Sequence, residues 1–487
     1  MAHLLAVAAC VAGTLDSESS APRFEITLDR GVCDKPYSGR VYLMTTTREG
    51  REPVNGPGWF GRDPFFTVEV RGWKPGKSIV VDADKTLGFP KPLADLPGGT
   101  YFVQAVISLN TWSRRVTNAP GNAYSKVVSF EQDTHNPPTV TLHIDQRVPQ
   151  PKLEDSDEVK FIRLRSRLLS KFHKRDVYLQ AAVGLPVSYA DERDRKYPAI
   201  YIVPGFGGDI VSGGRSARYD PYAAEDLDIV RIYLDPECPT GHDVFADSAN
   251  NGPVGRALIE ELIPHLEEKF RIIRDAGARY VTGHSSGGWS SLWLQVAYPE
   301  TFGGCWSLAP DPVDFRSFQL TNIYDPDDNL YYEPDGSPRA VARGRDRAMK
   351  PFVDAEEVLG RGGQMGSFEA VFSPRGADGK PARLWDRTTG KLDARVARAW
   401  KKYDIALKLK REWSSLGPRL AGKLHIFCGD RDTFFLDGAV LRLRDELKNL
   451  GSDAYVEIVP GAGHGLTPGV RLTVARQVAE QFARFQK

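Results

Sequence analysis

Six short, almost continuously apolar runs recur in the sequence beyond residue 160. They are YPAIYIVPGF, LDIVRIYLDP, ARYVTGHS, GGCWSLAP, KLHIFCGD and AYVEIVPG. Strands that are buried on both faces have this composition, because helices cover both faces of a parallel sheet. Amphipathic helical patterns separate several of the runs, at residues 255–270 and 436–451, and another closes the chain. The alternation predicts an α/β domain with a mostly parallel sheet over residues 161–487.

The preceding part of the chain, residues 23–145, has a different pattern. Short segments of alternating apolar and polar residues, such as FEITLD, TYFVQAVIS and TVTLHID, are separated by turn clusters such as NGPGWFG and LPGG. Evenly spaced short strands without helices between them predict a small β-sandwich of immunoglobulin type. Residues 146–160 are polar and contain proline, which predicts a linker.

The charge balance excludes some classes of partner. The chain has 64 basic and 63 acidic residues, which argues against nucleic acid as a partner. No apolar run is long enough to cross a membrane. The most basic stretch, Arg163 to Arg175, alternates charge with leucine, and we expect it to form an edge strand with a solvated positive face. No sequence feature indicates the oligomeric state.

The first residues, 1–22, have features of an export signal. MAHLLAVAACVAG has a short apolar core that ends in small residues, and VAAC resembles a bacterial lipoprotein cleavage box around Cys10. This predicts an exported protein, which would be periplasmic, anchored by a lipid at Cys10, or secreted. The alternative is a plain N-terminal tail, and the protein would then be cytoplasmic.

A serine motif follows the third apolar run. Gly283-His284-Ser285-Ser286-Gly287 fits the pattern G-x-S-x-G. The pattern alone is weak, but here a buried strand precedes it and an amphipathic helical segment follows. In this context a strained strand-to-helix turn exposes the serine hydroxyl, and the glycines remove side chains that would clash. We expect Ser285 to be a nucleophile; the alternative is a packing turn with a helix-capping serine.

Serine is a weak nucleophile unless a base accepts its proton and a carboxylate orients that base. His464 lies in the loop IVPGAGHGLTP, directly after the last apolar run. The run KLHIFCGD is followed by a loop that supplies Asp430 and Asp432. We expect Asp432, further out on the loop, to be the acid and Asp430 to hold the turn. The order Ser285, Asp432, His464 is that of the α/β hydrolases.

The developing oxyanion also needs hydrogen-bond donors. We expect one to be the backbone N–H of Ser286 and the other to come from Phe206 or Gly207 in the glycine-rich loop YIVPGFGGD. A phosphate-binding turn is the alternative, but neither G-x-G-x-x-G nor a Walker lysine is present. His242 and Asp247 follow another apolar run and either contact the substrate or order their own loop.

We predict no metal and no cofactor. Asp325, Asp327 and Asn329 match the start of a calcium-binding EF-hand loop. Leu330, however, stands where that loop requires glycine, and Gly336 stands at the position of the closing glutamate.

Several motifs together resemble the putative-esterase family of α/β hydrolases. They are YPAIYIVPGFGG, ALIEELIPHLEEKFRI, GHSSGGWSSLW, YPETFGGCWSLAPDPVDF and GAGHG. Members of that family include esterase D, feruloyl, acetyl-xylan and enterochelin esterases, and mycolyltransferases. The resemblance covers about Tyr178 to Gln486 and implies a serine esterase for a small-molecule or carbohydrate-linked ester. Enterochelin esterases and some plant-polysaccharide esterases also resemble this chain in having an N-terminal β-sandwich.

The chain departs from a minimal member of that family in the long interval between Ser285 and Asp432. The excess, about residues 311–420, is rich in Arg, Asp, Gly and aromatic residues. We expect a cap over the site, with an oligomer contact as the alternative. Its Trp, Tyr and Arg residues would suit a bulky aromatic or sugar-linked ester of the feruloyl or acetyl-xylan type. An enterochelin-type siderophore esterase and an acyltransferase are alternatives, and a non-catalytic binding module is an alternative of a different class.

Overall fold

The structure, a computed structural model, describes residues 21–344 and 347–487. Cys10 and nearly all of the predicted export segment 1–22 lie outside the described residues. The chain divides into two compact units. The first comprises the chain up to Ile107 and Ala123–Arg147, whereas the second comprises Ser108–Asn122 and Val148–Lys487. The segment Ser108–Asn122, which separates two strands of the first unit, therefore belongs by its contacts to the second.

The first unit is rich in strands. They are β1 (Arg23–Leu28), β2 (Tyr37–Thr46), β3 (Phe65–Trp73), β4 (Ser78–Val81), β5 (Leu87–Phe89), β6 (Gly99–Ile107), β7 (Ala123–Ser125), β8 (Val128–Gln132) and β9 (Thr139–Arg147). They pair in the order β4-β1-β9-β7-β6-β2-β3-β5, with β8 also on β6, and only β1 and β9 run parallel. Alternate residues of β9, Val140, Leu142 and Ile144, are buried, as the sequence pattern predicted. The small all-β region is confirmed, and its immunoglobulin-type topology stays a prediction.

The second unit contains an eight-stranded sheet. Its strands are β10 (Val159–Arg165), β11 (Tyr178–Gly184), β12 (Ala199–Val203), β13 (Val230–Leu234), β18 (Arg279–His284), β19 (Gly304–Leu308), β20 (Leu424–Gly429) and β21 (Tyr455–Val459); the two-residue strands β14 (Glu237–Cys238), β15 (Gly241–His242), β16 (Asp247–Ser248) and β17 (Gly252–Pro253) form two separate pairs. The sheet order is β10-β11-β13-β12-β18-β19-β20-β21, and every pairing from β13 to β21 is parallel. The six apolar runs are the six parallel strands, which confirms the predicted α/β fold.

Helices occupy most of the intervals between these strands. They are α1 (Arg167–His173), α2 (Ile210–Ser216), α3 (Val254–Ala257), α4 (Ile263–Lys269), α5 (Ser286–Ala297), α6 (Met349–Leu359), α7 (Gln364–Phe372), α8 (Ala394–Trp400), α9 (Ile405–Leu420), α10 (Asp437–Asn449) and α11 (Pro468–Phe485). A π-helical turn, Leu258–Leu262, joins α3 to α4. Across the described residues no helix is long and apolar enough to cross a membrane.

The prediction of an edge strand for the basic stretch Arg163 to Arg175 was wrong beyond Arg165. Strand β10 does form one edge of the sheet, but α1 follows at once. Ser166 starts this helix by accepting a hydrogen bond from the Leu169 N–H (3.0 Å). The Glu261 carboxylate accepts the N–H groups of Arg167 and Leu168 at 3.1 Å each. A cap from a distant glutamate cannot be recognised in the local charge pattern.

The insertion 311–420 contains α6 to α9 and an aromatic cluster. Phe315, Phe372 and Trp400 are buried with ring centroids 5.1–5.7 Å apart. The cluster continues onto α5, because Trp289 lies 5.1 Å from Phe372. The insertion is thus packed directly on the helix that follows β18.

The parallel strands end at one edge of the sheet. Loops that follow β12, β18, β19, β20 and β21 therefore meet there, which is where ligands bind in open α/β sheets.

Candidate active site

Ser285 occupies a strained turn between β18 and α5. Its φ and ψ are 60° and −123°, a conformation that residues other than glycine rarely adopt. The surrounding structure fixes it there, because the Ser285 N–H donates to the carbonyl of Leu308 (2.9 Å) and its carbonyl accepts from the N–H of Trp289 (3.0 Å). This is the backbone geometry of a nucleophile elbow.

The two glycines of the motif are required by close backbone contacts. A Cβ atom on Gly283 would lie 2.2 Å from the carbonyl oxygen of Gly287, and one on Gly287 would lie 1.9 Å from that of Val203. No side chain can be accommodated at such distances. The sequence pattern G-x-S-x-G therefore reflects how tightly β18, α5 and β12 approach one another.

The predicted oxyanion donors flank the serine. Ser286 is the first residue of α5, so its N–H has no acceptor within the helix. The loop with Phe206 and Gly207 follows β12, and a Cβ atom on Gly205 in this loop would lie 3.2 Å from Cβ of Ser285. Gly207 has a φ of 95°, which accounts for a glycine at that position.

His464 and Asp432 are in direct contact. His464 Nδ1 lies 2.8 Å from Asp432 Oδ2. The Asp432 side chain is completely buried, and its Oδ1 accepts the N–H of Phe434 (2.8 Å). Asp430 instead accepts the N–H of Gly461 (2.7 Å). Asp432 therefore contacts His464, whereas Asp430 contacts the loop backbone, and the role of Asp432 as the acid stays a prediction.

The His464 loop lies against the residue that precedes Ser285. His284 Nε2 donates to the carbonyl of His464 (2.7 Å), and the two rings are 4.6 Å apart. The Ser285 hydroxyl, however, makes a long hydrogen bond to Asp311 Oδ1 (3.5 Å). Within the part of the chain that the structure describes, no hydrogen bond joins Ser285 to His464. Catalytic contacts are often long without a ligand and shorten in the substrate complex.

Asp311 is a residue that the sequence reasoning missed. It follows β19, is only 6% exposed, and its Oδ2 accepts from the Ser286 hydroxyl (2.5 Å) and from Gln364 Nε2 (3.3 Å). Burial raises the pKa of the Asp311 carboxyl to about 6, whereas the hydrogen bond from Ser286 lowers it. The signal was present, because Asp311 comes directly after the apolar run GGCWSLAP.

His242 and Asp247 make contacts within and near their own loops. His242 Nε2 lies 2.9 Å from the carbonyl of Pro204, and its Nδ1 accepts the N–H of Val244 (3.0 Å). Burial lowers the pKa of His242 to about 4. Asp247 accepts the N–H of Arg256 (3.0 Å) near the start of α3. These contacts support the alternative that both residues order backbone, and a substrate contact of either stays a prediction.

The segment Ser108–Asn122 places an arginine beside the predicted oxyanion loop. The Arg114 guanidinium lies 4.9 Å from the Phe206 ring centroid, and Nη2 is 3.4 Å from the carbonyl of Gly207. Burial lowers the pKa of Arg114. Sequence reasoning missed this contact because the segment lies between two strands of the other unit.

In the calcium-like sequence around residue 327, side-chain oxygens accept hydrogen bonds from the local backbone. Asp325 accepts the N–H of Asp327 (3.0 Å), and Asn329 accepts that of Tyr331 (2.8 Å). In residues 21–344 and 347–487 no group of three or more His, Cys, Asp or Glu side chains is arranged to hold a metal ion.

One family model matches this chain, and several solved structures are similar to it. The model of the family described as "Putative esterase" matches residues 174–450, more than half of the chain. Solved structures similar to this chain include a ferulic acid esterase, which is 14% identical with a TM-score of 0.42 over 67% of this chain and 98% of that one. An S-formylglutathione hydrolase from Agrobacterium tumefaciens is 15% identical, with a TM-score of 0.40 over 67% of this chain and 94% of that one. FphF, a fluorophosphonate-binding serine hydrolase of Staphylococcus aureus, is 14% identical, with a TM-score of 0.39 over 66% of this chain and 98% of that one.

The family match covers the strands from β11 to β20 and includes the elbow and the acid loop. The resemblance seen in the sequence motifs is therefore confirmed at the level of the family. The chain belongs to the Putative esterase family of α/β hydrolases and is a carboxylic ester hydrolase.

Proposed function

We propose that this esterase acts through a covalent acyl-enzyme, with Ser285 as nucleophile, His464 as base and Asp432 as the acid that orients the base. The observation that supports this most strongly is the 2.8 Å contact between His464 Nδ1 and Asp432 Oδ2 beside the strained elbow. An imidazole held through Nδ1 presents Nε2 as the proton acceptor.

In the first half-reaction Ser285 Oγ attacks the ester carbonyl carbon, and its proton passes to His464 Nε2. The carbonyl oxygen becomes an oxyanion, which the N–H of Ser286 and an N–H of Phe206 or Gly207 stabilise, each donor contributing about 3 kcal/mol. The tetrahedral intermediate then expels the alcohol, which takes the proton from His464 as the carbon–oxygen bond breaks. Ser285 is left as an ester of the acid.

In the second half-reaction His464 takes a proton from water, and the hydroxide attacks the acyl carbon. Collapse of this intermediate returns the proton to Ser285 Oγ and releases the carboxylic acid. If an alcohol replaces water at this step, the same residues perform acyl transfer. No cofactor takes part in either half-reaction.

We infer that the insertion 311–420 is a cap that selects a bulky aromatic or sugar-linked ester. Gln364, at the start of α7, contacts the Ser286 hydroxyl (3.3 Å), and Arg343 Nε donates to the carbonyl of Asp432 (2.9 Å). These contacts favour a cap over an oligomer contact. The aromatic residues Phe372 and Trp400 are buried in the insertion's own cluster, so they support the packing of the cap rather than a ring-binding surface.

The test of the chemistry compares the wild type with Ser285→Ala. We expect the wild type to hydrolyse p-nitrophenyl acetate and the variant to lose at least about 10³-fold in kcat/KM. Circular dichroism establishes that the variant is folded. Equal rates for the two proteins would exclude Ser285 as the nucleophile, and no hydrolysis by either would favour a non-catalytic binding module.

The test of the substrate class uses three esters with the wild type: a feruloyl sugar, an acetylated xylo-oligosaccharide and a catecholate siderophore ester. We expect the highest kcat/KM for the feruloyl or acetyl-sugar ester. Preference for the siderophore ester would favour the enterochelin-type alternative. Formation of a new ester in the presence of an added alcohol would indicate acyl transfer.

A further inference from the structure

A cavity of about 620 Å³ lies at the carboxyl edge of the parallel sheet, beside the end of strand β13. All of its lining residues belong to the second unit, and we call it the side pocket. Its inner wall contains Gln180 on β11, Asp209 in the loop after β12, Asp235 directly after β13, and Glu237 at the start of β14. The volume is within the range of pockets that bind small ligands.

The side pocket adjoins the predicted oxyanion loop. Ser113 and Arg115 line the pocket, whereas Arg114 between them contacts the Phe206 ring of that loop. In the sheet order only β12 separates β13 from β18, so the carboxyl ends of β13 and β18 are about 10 Å apart. A chain-like ligand with one end in the side pocket can therefore reach the elbow with its other end.

The inner wall has hydrogen-bond acceptors that are held in place by their neighbours. Asp235 accepts hydrogen bonds from Gln180 Nε2 (3.2 Å) and from the N–H of Glu237 (3.1 Å). Arg115 Nη2 lies 3.1 Å from Asp209 Oδ2 and 3.7 Å from Glu237 Oε2. A carboxylate can accept about four hydrogen bonds, so these contacts leave acceptor positions for the hydroxyl groups of a ligand.

The rim of the side pocket is basic and aromatic. The guanidinium carbon of Arg175 lies 4.6 Å from the Trp112 ring centroid, and that of Arg163 lies 3.3 Å from the Tyr178 ring centroid. Cation–π contacts of this kind hold the two exposed guanidinium groups at the rim. Arg163 and Arg175 are the ends of the basic stretch in the sequence, which the structure thus places around a cavity.

The charges of the side pocket favour a neutral ligand. Its described lining residues carry four carboxyl and three guanidinium groups. Burial raises the pKa of the Asp235 carboxyl to about 7, so near neutral pH the two signs of charge almost balance. An ion of either sign would meet like charges, whereas a hydroxyl group can donate to a carboxylate and accept from a guanidinium.

The shape of the lining favours a sugar among neutral ligands. Ile210 and Val211 line the same pocket and can contact the C–H groups of a sugar ring. An aromatic acid, in contrast, has too few hydroxyl groups for the polar inner wall and would leave buried polar groups unpaired.

We propose that the side pocket binds a sugar residue of the neutral glycan chain to which the ester is attached. The proposal rests on the function proposed above and assigns the glycan to the β13 side of the oxyanion loop. Binding at this distance from the ester involves the glycan alone. It should therefore lower KM for glycan esters more than for small esters.

The binding test uses sugars that contain no ester, so that it is independent of the chemistry. Xylotriose, cellotriose and maltotriose are titrated into the wild type by isothermal titration calorimetry, and we expect a Kd of about 1 mM or lower for at least one. Asp235→Ala removes acceptors from the inner wall and should weaken this binding at least about tenfold. If that variant does not fold, Gln180→Ala should weaken it about fivefold.

The matched control is Asp228→Ala. Asp228 precedes the same strand, β13, at its other end, and its Oδ2 lies 2.8 Å from Arg195 Nη1. We expect sugar binding equal to that of the wild type. The proposal would be overturned if none of the three sugars bound to the wild type, or if the folded pocket variants bound them as the control does.

The kinetic test compares a feruloylated xylotriose with p-nitrophenyl acetate. We expect Asp235→Ala to raise KM for the glycan ester about tenfold more than KM for the small ester. Sugar binding without this difference would overturn the role of the side pocket in binding the substrate. Retention of activity by Ser285→Ala would instead overturn the proposed function, and the calorimetric result would still stand.

Discussion

The parallel sheet and the insertion 311–420 contribute to this site in different ways. The sheet positions the three residues of the proposed triad, because Ser285, Asp432 and His464 each follow one of its strands. The insertion has an aromatic cluster of its own and contacts the same edge through Gln364 and Arg343. The topology of the sheet thus brings the proposed catalytic residues together. Side-chain packing in the insertion positions the residues that surround them.

The largest effect should come from the acid in the sheet region. Asp432→Asn removes the carboxylate that fixes the imidazole tautomer, and we expect kcat/KM for p-nitrophenyl acetate to fall about 10³- to 10⁴-fold. Asp430→Asn is the matched control from the same loop, with an expected loss of less than about tenfold. Equal losses of kcat/KM in the two variants would mean that activity depends on the conformation of the loop and not on the Asp432 carboxylate.

The insertion should depend on its aromatic cluster for stability. Trp400 is fully buried, its ring lies 5.1 Å from that of Phe372, and its Nε1 donates to Ser373 Oγ (2.9 Å). We expect Trp400→Ala to lower the free energy of unfolding by about 3–5 kcal/mol, measured by urea denaturation and circular dichroism.

Trp413→Ala is the control, because Trp413 lies on α9 and is only partly buried. We expect it to cost about 1 kcal/mol or less. If Trp400→Ala were no more destabilising than Trp413→Ala, the cluster would not be the core of the insertion.

The parallel-sheet region and the insertion 311–420 each contain a buried acid whose titration links the free energy of unfolding to pH. Burial raises the pKa of Asp243, directly after β15, to about 8 and that of Glu356, on α6, to about 7. Because these values exceed those of the unfolded chain, each contribution to stability is fully present below about pH 4 and is lost as pH rises through the folded value.

We therefore expect the free energy of unfolding to fall by about 3–4 kcal/mol between pH 6 and 8. Asp243→Asn should reduce this slope, as should Glu356→Gln. The measurement is urea denaturation at several pH values. A slope that neither variant changes would show that these two acids are not its source.

The smallest effect should come from the contact between the insertion and the elbow. Gln364→Ala removes a donor from both Ser286 and Asp311, and we expect kcat to fall about three- to fivefold with the fold intact. Gln319→Ala, elsewhere in the insertion, should leave kcat unchanged. If Gln364→Ala also leaves kcat unchanged, the hydrogen bonds from the insertion to the elbow do not affect catalysis, and only its packing supports the site.

The features that could be predicted from the sequence are those that repeat or have a local signature. All six apolar runs are parallel strands, and the elbow glycines Gly283 and Gly287 lie where close backbone contacts exclude side chains. The contact between His464 and Asp432 follows the expected chain order. These features depend on the repeated pattern of apolar runs and on the loops at the carboxyl ends of the parallel strands.

The features that could not be predicted depend on contacts between distant parts of the chain. Helix α1 needs Glu261, nearly one hundred residues away, as its cap. Arg114 reaches the loop after β12 from a segment that separates two strands of the first unit. Asp311 is different, because its position directly after an apolar run could have identified it.

The most direct test of the account is the site of covalent reaction. The intact protein is treated with a fluorophosphonate and digested, and the labelled peptide is identified by mass spectrometry. We predict one phosphonyl group on Ser285, with no label in Ser285→Ala and much slower labelling in Asp432→Asn. Label on another residue, or equal labelling of Ser285→Ala, would contradict the assignment of Ser285 as the nucleophile.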